Sequence, residues 1–369
     1  MNNKITIGEI AQYLESVAPL ALQESYDNSG LQTGNPSDIV KSVLVALDVT
    51  EEVIDEAIGN GAELIIAHHP VIFGGLKSLT GNNSIERVIL KAIRNNIALY
   101  AAHTNLDSIE GGVNSMIARK LGLTNQKILN PSISVLRKLV TFVPTAQLNQ
   151  VRNAIFDAGA GHIGNYDKCS FNIEGSGTFR GNKDTSPFAG EKGTFHTETE
   201  IRLETIFPSW LEKKIINALL TAHPYEEVAY DIYPLENRFE KAGAGITGSL
   251  LKPLDEKDFL NMLKNVFSIP FVRHSKLLHK KIEKVAVCGG AGSFLLKDAI
   301  AAKADIFVTG EIKYHQFFDA ENKIIIADVG HYESEQFTTE LFVELLTKKF
   351  STFAVHLSKV KSNPVNYHF

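Results

Sequence analysis

The sequence predicts an α/β protein: a duplicated three-layer α/β/α core with mixed sheets, interrupted by a ferredoxin-like α+β insert. Three observations carry that prediction. Apolar β-branched runs alternate with amphipathic helical stretches, the order that builds βαβ units. The succession of elements over 42–107 returns over 285–335. Between them lies a stretch of different character, where strand and helix signals alternate with many polar turns. The core is therefore assigned to 1–131 and 240–369, and the insert to 132–239.

In the first half, 42–48 reads as a buried strand. Thr50 can cap a helix over 51–58, with Glu51 and Glu52 in the first turn where the helix dipole favours acids. A Gly59-Asn60-Gly61 break follows, and a strand over 64–67 ends at His68-His69-Pro70. A further strand over 96–100 leads to His103 and Asp107. The second half repeats this order. A strand over 285–288 runs into Gly289-Gly290-Ala291-Gly292-Ser293, then a helix over 294–302 and a strand over 305–309 ending at Gly310-Glu311. A last strand over 323–327 leads to His331 and Glu335. The insert reads as strand 138–144, helix 148–157, strands 168–174 and 200–206, helix 209–222 and strand 230–234. That order is βαββαβ, the split-βαβ unit. Residues 179–197, rich in Gly, Lys and Thr, read as a mobile loop.

Composition narrows the class. A chain of 369 residues is long enough for two or three domains, and 44% hydrophobic with 21% charged residues is ordinary for a globular protein. The net charge of −5 offers no basic patch for nucleic acid. No apolar run nears the roughly 20 residues that span a bilayer, and the first residues lack a signal-peptide core. Cys169 and Cys288 stand far apart and form no Cys-x-x-Cys pair, so buried thiols in a reducing cytoplasm are expected.

The chemistry sits at the strand ends, where open α/β sheets keep their sites. His68, His69, Asp107, His331 and Glu335 offer five nitrogen and oxygen ligands, more than one divalent ion normally takes from protein. A two-metal site follows. Pro70 keeps His69 extended as the chain leaves the sheet. His331 and Glu335 share one helix face at i, i+4, and Asp107 can bridge two cations with its two oxygens. A lone histidine at a strand end more often caps a carbonyl; five ligand-type residues at matching ends favour metal. His103 could orient a ligand, bind metal or merely pack. Glu311 and His315, at the strand end that corresponds to His68-His69 in the repeat, are candidates for proton transfer. Mixed imidazole and carboxylate ligation suits Zn, Fe, Mn, Co or Ni without choosing among them. Water on such ions is acidified towards a pKa of about 7, which points to metal-assisted hydrolysis. The Gly289–Ser293 turn could cradle an anion, although a tight strand-to-helix turn explains it as well. The polar turn from Glu24 to Leu31 is a plain loop or a cleft wall, and His223-Pro224-Tyr225-Glu226-Glu227 reads as structural.

Taken together, Glu24-Ser25-Tyr26-Asp27-Asn28-Ser29-Gly30-Leu31, Ile66-Ala67-His68-His69-Pro70, His103-Thr104-Asn105-Leu106-Asp107, Thr309-Gly310-Glu311-Ile312-Lys313 and Asp328-Val329-Gly330-His331-Tyr332-Glu333-Ser334-Glu335 resemble the Nif-three-like family, also called the GTP cyclohydrolase type 2 family. Tyr26 stands where that family usually has Trp, and Glu311 where Asp is frequent. The resemblance implies a di-metal centre on His68, His69, Asp107, His331 and Glu335. The insert, through Gly159 to Tyr166, Cys169-Ser170-Phe171 and His223 to Asp231, is similar to the PII/CutA-like domain of the family's longer members. The resemblance further implies a toroidal homohexamer, a dimer of trimers with the inserts capping its openings. The family name implies opening of the guanine imidazole ring of GTP with release of formate. The first functional reading is thus a metal-dependent hydrolase acting on a nucleotide or related ring amide. A non-catalytic regulatory protein whose insert senses a small molecule, and a metal-trafficking protein, are the alternatives.

Overall fold

The computed structural model describes residues 4–351 and 353–368. The chain forms two compact units, Met1–Pro131 with Glu240–Phe369, and Ser132–Phe239. Among the described residues no helix is long and apolar enough to cross a membrane.

The larger unit carries two mixed sheets. In the first, the parallel strands Ala98–Ala101, Leu64–Ala67, Ser42–Ala46 and Ala354–Leu357 lie side by side, with Gly30–Thr33 antiparallel at one edge. The central three are buried at every residue. That explains why they read as unbroken apolar runs rather than alternating ones. Helices Glu51–Asn60 and Ser84–Arg94 cover one face, packing Ile54 and Val88 on Leu44, Ile65 and Leu99. The first of these runs two residues beyond the expected 51–58, ending at Gly61.

The second sheet has parallel strands Lys281–Val287, Ile306–Thr309 and Ile325–Asp328 at its centre. Arg273–His274 pairs antiparallel outside the last of them, and Phe239–Asp255 pairs antiparallel with the first. Thr124–Ser132 completes the order on the far side of Phe239–Asp255. Leu296, Ala299, Phe307 and Ile326 pack in its core. Instead of one helix over 294–302, a 3-10 turn Ser293–Leu295 precedes a short helix Leu296–Ala301.

The smaller unit runs strand Leu136–Pro144, helix Leu148–Asp157, strands Phe171–Phe179 and His196–Pro208, helix Glu212–Ala222 and strand Tyr230–Leu235. All sheet pairs are antiparallel. The strand expected at 168–174 lies three residues later and extends to Phe179, because nine residue pairs from Phe171↔Glu204 to Phe179↔His196 hold it in register. The 179–197 segment therefore begins and ends inside strands and is a loop only over 180–195. Val151, Ile155, Ile215 and Leu219 of the two helices bury against Leu139 and Leu203.

Candidate metal centre

Most central strands of the larger unit lead into polar side chains that meet at one cluster, while the strand Lys281–Val287 leads into the glycine-rich turn beside it. His68 and His69 leave the strand Leu64–Ala67 with both amides donating to the Leu47 carbonyl, at 3.1 and 3.0 Å. This pins the backbone while the two rings diverge by 47°. His68 is fully buried, and its Nδ1 donates to the Ala102 carbonyl at 2.9 Å, which leaves the Nε2 lone pair free. That Nε2 stands 3.6 Å from Asp107 Oδ1 and 3.7 Å from Glu335 Oε1. His69 Nδ1 is held by Asp48 Oδ1 at 2.7 Å, so its Nε2 faces Glu335 Oε2 at 3.0 Å and His331 Nε2 at 3.4 Å. His331 and Glu335 bracket the short helix His331–Glu335, and His331 Nε2 lies 3.0 Å from Glu335 Oε2.

All five ligand candidates thus meet in one place. His69, His331 and Glu335 present donor atoms within 4.8 Å of one another, and so do His68, Asp107 and Glu335. Glu335 belongs to both triads, whereas Asp107 belongs to one. Asp107, which could bridge two cations, is thus not the residue the two triads share; that is Glu335, whose two oxygens face different histidines.

The cluster passes a test of fit for divalent cations. His68 Nε2 and Asp107 Oδ1 are buried and make no hydrogen bond, and the buried Glu335 Oε2 has only the two imidazole nitrogens at 3.0 Å beside it. Leaving such atoms unpartnered costs roughly 1–3 kcal/mol each, and cations would offset that cost. Without a cation, protons would offset the same charges. Burial alone would lower the His69 pKa, but the carboxylates of Asp48 and Glu335 outweigh it and hold the ring at about 10. His331 is likewise desolvated yet raised to about 9 by Glu335. Burial pushes Asp107 up to about 7, partly countered by His68. Glu335 is held well below its usual range despite burial, by contacts with His331, His68 and His69.

The remaining candidates separate. His103 Nδ1 donates to Asp27 Oδ1 at 2.8 Å, and its ring sits 5.1 Å from that of His68 and 5.2 Å from that of His69. It completes a third triad with His68 and His69. Glu311 has its Oε1 3.4 Å from His331 Nδ1, at the edge of the cluster. His315 does not join it. The chain turns through Glu311 at φ 56° into the 3-10 helix Tyr314–Ala320, where the exposed His315 ring packs on Tyr314 and Phe318.

Two carboxylates went unassigned in the sequence. Asp48, two residues past the strand Ser42–Ala46, orients His69 and accepts from Ser362 Oγ at 2.6 Å. Asp27 accepts from His103, from the Thr104 hydroxyl at 2.5 Å and from the Thr104 amide at 3.1 Å. Although burial opposes it, these bonds hold its carboxyl well below the ordinary range. The polar Glu24–Leu31 turn is thus tied to the centre. Asp48 carried a readable signal, a strand-terminal acid like the others; Asp27 carried none in spacing.

Three amides of the glycine-rich turn are engaged within the fold rather than turned towards an anion. The amides of Gly289, Gly290 and Gly292 donate to Asn114 Oδ1, Ser334 Oγ and Thr309 Oγ1. Its role is room: a Cβ on Gly290, at φ 61°, would stand 2.3 Å from Glu335 Oε1.

A cavity of about 770 Å³ opens onto the cluster, walled by Tyr26, Phe73, His103 and Phe294 above Asp107 and Glu335. A second, of about 460 Å³, reaches His69 and His331 from the side of Arg273, Glu311 and Tyr367.

The family model for Duf34/NIF3 (NGG1p interacting factor 3) matches residues 5–364. The chain belongs to the Duf34/NIF3 family. Among relatives of this family member, a Halalkalibacterium halodurans protein called GTP cyclohydrolase 1 type 2 homolog is 41% identical over 370 residues, covering 99% of this chain and 100% of its own. A Bacillus subtilis protein of the same description is 40% identical, with 97% and 98% covered. The crystal structure of a Bacillus cereus protein related to NIF3 superposes with a TM-score of 0.85 at 40% identity, covering both chains fully.

Proposed function

We propose that this Duf34/NIF3 protein is a metal-dependent hydrolase acting on a nucleotide or a related ring amide. The observation that carries the reading is the pair of donor triads sharing Glu335, with buried donor atoms that lack partners. His69, His331 and Glu335 would hold one divalent ion, and His68, Asp107 and Glu335 the other. Divalent cations in such a cage supply Lewis-acid polarisation and acidify bound water to a pKa of about 7. The protein's own part is positional. Asp48 fixes the His69 tautomer, the Ala102 carbonyl fixes that of His68, and Asp27 fixes the His103 ring. Glu311, exposed beside His331, is placed to take or give a proton at the cavity edge.

The substrate reading is supported by the exposed rings of Tyr26, Phe73 and Phe294 around the larger cavity, which suit a flat heterocycle. It is also supported by the relatives' description as homologues of a GTP cyclohydrolase. The deciding experiment has two parts: metal analysis of untreated protein, then incubation of the metal-loaded protein with GTP and other purine nucleotides while ring opening and formate are followed. Two divalent ions per chain and turnover lost in Asp107→Ala support the proposal. Metal without turnover on any nucleotide or cyclic amide would remove the hydrolase reading.

We also infer that the two sheets are copies of one unit. Each has three central parallel strands ending at or beside the cluster, in keeping with the repeat in the sequence. The smaller unit, with its βαββαβ order, is proposed to be PII/CutA-like, and the protein to assemble as a ring-shaped hexamer. Light scattering on the purified protein tests the assembly, and a monomer or dimer at micromolar concentration would reject it.

A further inference from the structure

The smaller unit has a cavity of its own, of about 700 Å³, that the metal chemistry does not use. Its walls come from the hairpin Phe171–Phe179 and His196–Pro208, from the 180–195 loop and from the segment after helix Glu212–Ala222. Three aromatic side chains surround it. Phe179 and Phe188 lie 6.0 and 6.1 Å, centroid to centroid, from Tyr225.

Into this aromatic setting the fold places a carboxylate. Glu200 is only 7% exposed, and its Oε1 accepts from the Tyr225 hydroxyl at 2.7 Å. Its Oε2 occupies the space above Gly177, where a Cβ would stand 2.0 Å away. Among the described residues Glu200 forms no ion pair. Two groups nearby are engaged elsewhere, Arg202 with Glu204 and His196 with Glu198, and the exposed Arg180, which also lines the cavity, forms no ion pair with Glu200. The buried His223 has both nitrogens used, one on the Phe142 carbonyl and one accepting from the Tyr225 amide. Burying an ionised carboxylate without a counter-cation is costly. Aromatic faces around it attract cations through their quadrupoles. The size falls within the range of small-molecule sites.

We propose that this cavity binds a small organic ammonium cation with an apolar body. The ammonium group would pair with Glu200, and the body would pack against Phe179, Phe188 and Tyr225. The segment His223 to Glu227, read from the sequence as structural, would then have two roles. His223 is the structural part, while Tyr225 shapes the site.

Isothermal titration of the full-length protein with phenethylammonium, and with phenethyl alcohol as its neutral isostere, tests this directly. The ammonium is expected to bind at least about tenfold more tightly than the alcohol. Glu200→Gln, which keeps an acceptor for Tyr225, should erase that preference, and Phe188→Ala, on the exposed loop, should weaken both probes. Absence of ammonium binding at millimolar concentration, equal affinity for the two probes, or an unchanged preference in a folded Glu200→Gln protein would each overturn the proposal. Should Glu200→Gln fail to fold, the wild-type preference and the Phe188→Ala response decide. Metal content is measured alongside, and it should not change in either variant.

Discussion

His69 donates from Nδ1 to Asp48 Oδ1 at 2.7 Å, and this bond decides which nitrogen faces Glu335. Asp48 is itself held by the Ser362 hydroxyl at 2.6 Å. Outer carboxylates of this kind are worth roughly 10–100-fold in metal affinity. Asp48→Ala is therefore expected to weaken metal binding by about that factor while the fold persists. Chelator competition measures it; unchanged affinity would show that His69 is oriented without Asp48.

Protonation of the metal-free cage sets a pH dependence. His69 and His331 have folded pKa values of about 10 and about 9 against an ordinary 6.5, and Asp107 about 7 against 3.8. Groups raised on folding contribute stability that is full below their unfolded pKa and lost as pH climbs through the folded value. The chelated protein should therefore lose thermal stability in two overlapping stages, from about pH 4 to pH 7 through Asp107 and from about pH 6.5 towards pH 10 through the two histidines. Depression of Glu335 acts the other way, removing stability only in acid, below its usual 4.5. With divalent metal present the alkaline loss should vanish, because cations replace the protons. Melting temperatures across pH, with and without chelator, check both halves. A chelated protein whose melting point is flat from neutral to alkaline pH would contradict the proton-filled cage.

Room for Glu335 depends on Gly290. An added Cβ would meet Glu335 Oε1 at 2.3 Å and would also sit at a positive φ of 61°. Gly290→Ala should cost about 1–3 kcal/mol in denaturant unfolding and reduce metal stoichiometry. Full metal occupancy in that variant would mean that the loop shifts freely.

Glu311 and His315, paired as candidates by their place in the sequence, should behave differently. His315 is exposed on a 3-10 helix, so His315→Ala should leave turnover, metal content and stability (within about 0.5 kcal/mol) unaltered. Glu311→Gln should keep the metal and slow turnover by about 100-fold, the scale of a lost proton-transfer group. Equal effects in the two variants would remove Glu311 from the proton path.

Much of the centre could be read from the chain. His68, His69, Asp107, His331 and Glu335 stand at the ends of apolar runs, and apolar runs become parallel strands whose carboxyl ends share one edge. The central strands were legible because full burial leaves a continuous β-branched signal. The outer strands Thr124–Ser132 and Phe239–Asp255 were not, since part-exposed strands with charged and glycine positions carry a weak pattern. Asp27 was equally silent. A polar residue in a polar turn looks the same whether it meets water or His103.

The sequence alone determined the candidate ligand residues, their places at strand ends and the βαββαβ order of the inserted unit, because each is a local pattern of hydropathy and spacing. Only the tertiary structure decided that Glu335 rather than Asp107 sits between the two triads, that His315 points away, and that Glu200 lies buried among aromatic rings. Those outcomes depend on distances between residues far apart in the chain. Such distances are set by sheet packing and side-chain burial, which no local pattern encodes.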